Sequence, residues 1–160
     1  MKELVPWSGP AVSGLSIAMI LFLSSAFQYA VRNLKTKSVV LTSETALALC
    51  NVLLMLTIWT GEAWLFIAAV LVTSFGHGLA NVGGMGVVAK LTSPAERAGL
   101  LSSYLIIGYM GTIVPIMAVG WLADHLGLNR ALIIFCTTMA LMNIAICALV
   151  WRTKELPAAN

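Results

Sequence analysis

Five long, uncharged and strongly apolar runs fill most of this 160-residue chain, and nearly every ionisable side chain is confined to the short segments between them. The runs cover 4–31, 45–61, 63–89, 98–123 and 131–151. An α-helix rises about 1.5 Å per residue, so each run is long enough, or nearly so, to cross a hydrocarbon core about 30 Å thick. Backbone polar groups inside lipid must be satisfied within the segment, which makes each run a helix. The expected architecture is an all-α integral membrane protein, a single transmembrane helical domain with spans at about 10–31, 39–60, 63–89, 98–122 and 131–151. With 9% charged residues against the quarter or so usual in soluble domains, a water-soluble core is excluded.

The net charge of +3 does not point to nucleic acid, because the nine Lys and Arg sit at helix ends rather than along one face. They report orientation instead, since cytoplasmic connections are enriched in basic residues. Arg32, Lys35, Lys37, Lys90, Arg97, Arg152 and Lys154 fall on one side and only Lys2 and Arg130 on the other. That imbalance predicts a cytoplasmic C-terminus and an outer N-terminus, in a bacterial inner (plasma) membrane. The indole prefers the headgroup region. In this topology Trp7, Trp59, Trp64 and Trp121 form an outer belt, and Trp151 anchors the last helix on the cytoplasmic side. Lys2 followed by an apolar core also has the form of a secretory signal, but the run is longer than a signal needs and Arg32, Lys35 and Lys37 follow it as a cytoplasmic stop would.

Nine of the thirteen glycines lie in or at the start of the third and fourth spans: Gly76, Gly78, Gly83, Gly84, Gly86, Gly99, Gly108, Gly111 and Gly120. Small residues let helix backbones approach closely in lipid, so the third and fourth spans are expected in the interior and the second and fifth toward lipid. Gly76, Ala80 and Gly84 recur every four residues, which places them on one face as a groove for a neighbouring helix or as a hinge. Pro115 removes a backbone donor from the fourth span and is expected to kink it.

Polar side chains deep in a span mark interhelical contacts or a solvated cavity. Asn51, His77, Asn81, Tyr109 and Asn143 are of this kind. His77, Asn81 and Tyr109 are the substrate-cavity candidates, provided their helices face each other. Imidazole is the sharpest of these groups because it can both donate and accept a proton near physiological pH. Asn51 and Asn143 are expected to bond between helices. Cys50, Cys136 and Cys147 all fall within spans and show no metal-ligand spacing, so they are expected as buried thiols, with no cofactor and no metal. No HExxH, paired membrane Asp or GxSxG accompanies His77, so no catalytic residue is assigned and the chain is not expected to be an enzyme.

The stretch TSPAERAGLLSSYLIIGYMGTIVPIMAVGWLADHLGLNRAL carries an ordered set of features. Pro94, Glu96, Arg97 and Gly99 form a P-x-E-R-x-G loop, Gly108 and Gly111 sit on the helix after it, and Gly120, Asp124 and Gly127 form a G-x-x-x-D-x-x-G exit. This pattern resembles the last helices of a major facilitator superfamily transporter. The resemblance implies that the five spans match helices eight to twelve of that family's twelve, with the first, third and fourth spans bordering a central cavity. It also implies a cytoplasmic loop in which Glu96 and Arg97 act as a helix-end pair. The stretch YAVRNLKTKS, where the family often has G-x-x-x-D-R-x-G-R, keeps the basic residues and lacks the Asp and the glycines.

The function so implied is alternating-access transport of a small solute. Alternating access works between two bundles, and five helices supply less than one cavity. The chain is therefore expected to be a fragment of a longer carrier, or to act with a partner chain supplying the missing N-terminal bundle. Its other partners would be the lipid bilayer and an unidentified small-molecule substrate, with no nucleic acid. A multi-spanning membrane subunit with a structural or regulatory role is the alternative.

Overall fold

The computed structural model describes residues 10–93 and 95–153, apart from the side chains of 10–13. Five α-helices follow one another: α1 (Pro10–Val31), α2 (Thr36–Thr60), α3 (Ala63–Leu91), α4 (Arg97–Leu126) and α5 (Leu128–Arg152). All five are long and apolar enough to cross a membrane, and no strand occurs among the described residues. This is an all-α integral membrane protein. The helices run slightly past the charge-free stretches: α2 begins at Thr36 rather than 39, and α4 continues to Leu126 rather than 122. Charged residues at a span's ends are as helical as the apolar ones, because the backbone hydrogen bonds extend to the interface. Trp7, Pro94 and Lys154 lie outside the described residues.

Two glycines make the sharp turns. Gly61 ends α2 in the left-handed region (φ 72°) with its N–H donating to the Thr57 carbonyl, and Gly127 (φ 84°) alone separates α4 from α5. The connections are short, so successive helices reverse direction. The α2 start therefore meets the α5 end, where Lys37 Nζ donates to the carbonyls of Trp151 at 3.3 Å and Thr153 at 2.7 Å. A cation at a helix C-terminus meets unsatisfied carbonyls and the negative end of the dipole. Arg97 serves α3 in the same way, reaching the Ala89 carbonyl at 3.5 Å.

α2 and α3 form the centre, with α5 on α2, α1 on α3, and α4 joined chiefly to α5. The core gathers Val31, Val39 and Leu79, with Phe27, Phe75 and Val82 against it. Phe27 meets Phe75 edge-on with 5.2 Å between ring centroids, a favoured geometry for aromatic pairs. Burial corrects the division drawn from glycine content. α2, expected toward lipid, buries Val39, Ser43, Ala46, Cys50, Asn51 and Thr57, whereas α4, expected inside, buries no residue. Asn51 aside, the buried positions on α2 follow spacings of four, three, four and seven, the seam of one helix against its neighbours, and it is built mostly of Ser, Ala, Cys and Thr rather than Gly.

Candidate functional site

α3 places His77 at its midpoint, opposite α1. The close approach depends on Gly78: a Cβ there would stand 2.7 Å from the Ser24 carbonyl oxygen and 3.2 Å from Phe27 Cβ. With no side chain in the way, Ser24 Oγ comes within 2.9 Å of His77 Nδ1. Asn81, one turn further along α3, holds its Nδ2 3.5 Å from the same nitrogen, and Gln28 Nε2 donates to Ser24 Oγ at 3.4 Å. Ser24 is buried while His77 is exposed, so the cluster has a sealed side and an open one. Four polar side chains on two helices thus converge halfway along α3. Each contributes a donor or an acceptor, and the His77 ring nitrogen serves as either according to its tautomer.

Of the three cavity candidates, two are brought together and one is not. His77 and Asn81 share the cluster. Tyr109 stands 66% exposed on α4 with no hydrogen bond to it among the described residues. The α4 residue that reaches α3 is Tyr104, whose hydroxyl occupies the space a Cβ at Gly84 would need. Ser24 and Gln28 were not singled out by sequence. A serine in an apolar run carries no signal until the facing helix is known, although Ser24 and Gln28 are spaced four apart, as two residues on one helix face are.

The four-residue series does not form one groove for one helix. Gly76 lies against Leu47 of α2, with a virtual Cβ 3.0 Å from its Cγ, while Gly84 faces Tyr104 of α4. Each four-residue step advances 400°, so two steps rotate the direction by roughly 80°. Seven-residue steps hold it better: Gly76 and Gly83 both meet α2, the latter at Val40 Cγ2 at 2.7 Å. Gly108 and Gly111 meet nothing within 4 Å. Pro115 sits inside an α4 that continues through it, four residues after Gly111.

At the loop before α4, Glu96 and Arg97 do not pair with each other. Glu96 Oε2 accepts from Ser93 Oγ at 2.8 Å, and Arg97 turns to α3. Asn51, expected to bond across helices, donates instead to the Leu47 carbonyl of its own helix at 2.8 Å. Cys50 and Cys136 are buried and Cys147 is partly so; Cys50 Sγ lies 2.7 Å from Thr73 Oγ1.

A polytopic helical membrane protein with a polar cluster exposed at mid-helix has the build of a carrier that handles solutes across a bilayer. The family model of the Major Facilitator Superfamily matches residues 5–160, and the chain belongs to that family of membrane transporters. No curated protein and no solved structure matches it significantly.

Proposed function

We propose that the chain forms one side of an alternating-access pathway for a small solute, with the Ser24–Gln28–His77–Asn81 cluster as the polar contact on that side. The observation that carries this reading is the 2.9 Å contact between Ser24 and His77 at the middle of α3, open on its outer side. An unpaired polar group in lipid is costly, and four gathered at one depth favour a water-filled cavity over hydrocarbon. In this reading the helices correspond to the eighth to twelfth of a twelve-helix carrier. The C-terminus faces the cytoplasm of a cell whose inner membrane holds the protein, and the N-terminus faces outside. The opposing wall comes from a further bundle, in the same polypeptide or a partner. The uncovered length of α4, with Tyr109 and Gly108 exposed on it, supports that arrangement.

The test is water access. In a background with Cys50, Cys136 and Cys147 replaced by Ala, Asn81→Cys is expected to react with a charged, membrane-impermeant thiol reagent, while Ile134→Cys on α5 does not. Equal protection at both positions overturns the reading. Reconstituted alone, the chain is expected to show no solute uptake; robust uptake by the 160 residues overturns the need for a second bundle.

A further inference from the structure

Glu44 lies eight residues into α2, about 12 Å along the helix from its start at Thr36. It stands one residue before the charge-free run 45–61 and inside the helix that carries that run. Its side chain faces α5, where Glu44, Ala48, Asn143, Ile144, Cys147 and Trp151 line a pocket of about 420 Å³. Glu44 Oε2 is wholly enclosed and has no hydrogen-bond partner among the described residues.

The surrounding polar groups do not supply one. Thr45 Oγ1 donates to the Leu41 carbonyl at 2.8 Å and lies 3.8 Å from Cys147 Sγ, and Lys37 is held by the α5 carbonyls of Trp151 and Thr153. Arg152 also lines the pocket, five residues beyond Cys147 and so roughly 7 Å further along α5, without bonding to Oε2.

We infer that this pocket binds a lipophilic amine. An alkylammonium brings the compensating charge and three N–H donors, which the other carboxylate oxygen of Glu44, Oε1, and the side-chain oxygen of Asn143 accept. Its hydrocarbon lies against Ala48, Ile144 and Trp151, and the volume falls in the usual range for small-molecule sites, about 300–1,000 Å³. An anionic amphiphile would set like charges together at Glu44, and a neutral one would leave its carboxylate without a compensating charge. The site lies between α2 and α5, away from the α1–α3 cluster, so it stands or falls separately from the transport pathway.

Trp151 provides the readout, with the full chain in phosphatidylcholine nanodiscs and 11-bromoundecylamine as a contact quencher. The amine is expected to give saturable quenching that is lost in Trp151→Phe and weakened at least tenfold in Glu44→Gln. The matched alcohol, 11-bromoundecanol, gives only unsaturable quenching from the bilayer. Ala48→Trp, read through displacement of a radiolabelled alkylamine, abolishes binding with the carboxylate intact. Equal behaviour of amine and alcohol, undiminished affinity in Glu44→Gln while its thermal unfolding matches that of the wild type, or amine binding that survives Ala48→Trp overturns the proposal. The first two of those results would mean that Glu44 simply carries a proton.

Discussion

α3 and α4 have 29 and 30 residues and both are rich in glycine, yet one is the middle of the bundle and the other its edge. On α3, Gly76, Gly83 and Gly86 meet α2, Gly78 meets α1 and Gly84 meets α4. On α4, Gly99, Gly108, Gly111 and Gly120 have nothing within 4 Å of where a Cβ would stand. A glycine in a membrane helix therefore marks a permitted close approach, and only the facing helix says whether it is used. In lipid the usual hydrophobic gain from burying a side chain is absent, so interhelical fit and hydrogen bonds set the energies.

The largest effect is expected at Gly78. Gly78→Val puts its Cβ against the Ser24 carbonyl, a backbone atom that moves only if α1 moves, and overpacking of that kind costs about 3 kcal/mol. The same change at Gly108 is expected to stay within about 0.5 kcal/mol, as substitutions away from packed contacts do. Unfolding in mixed detergent micelles followed by circular dichroism measures both. Similar losses at the two sites would erase the distinction between the helices.

Gly83→Val comes next, at about 1–2 kcal/mol, since the obstructing atom is Cγ2 of Val40 and a side chain can turn aside. Gly84→Val is smaller still, roughly 0.5–1 kcal/mol, because what it meets is the far end of the Tyr104 ring. Its cost should vanish in a Tyr104→Ala background. A penalty unchanged by removing that ring would show that something other than Tyr104 fills the space above Gly84.

How much of this was legible in the chain follows the same division. Charge-free length fixes five helices and their approximate ends, because lipid demands it of any sequence. It does not fix which helix sits inside. The expectation used glycine as the sign of burial, but the seam of α2 is made by Ser43, Ala46, Cys50 and Thr57, whose hydroxyls and thiol turn back on local carbonyls or neighbours and pack as small residues. Their spacing was readable; their role needed the partner helix. Glu44 fell within the expected second span, one residue before its charge-free run, but only the facing helix shows that its side chain turns toward α5. His77 and Asn81 were legible, being rare polar types at mid-span. Ser24 and Gln28 were not, since they join the cluster only because Gly78 on α3 lets α1 come close.

The smallest effect tests the cluster itself. Ser24→Ala and His77→Ala remove the two ends of the 2.9 Å contact, and a double-mutant cycle isolates their coupling. Side-chain hydrogen bonds within membrane bundles average about 0.6 kcal/mol and reach about 1.7, because the unfolded chain in the bilayer also finds partners. A coupling near 0.6 kcal/mol is expected, because His77 is exposed and has Asn81 as a second neighbour. The modest value is informative, for it leaves the imidazole free to exchange partners, as the proposed role in the pathway requires. A coupling well above that range, about 3 kcal/mol or more, would instead describe a sealed structural pair. The cluster would then belong with the packed glycines of α3 and not with the open surface of the pathway.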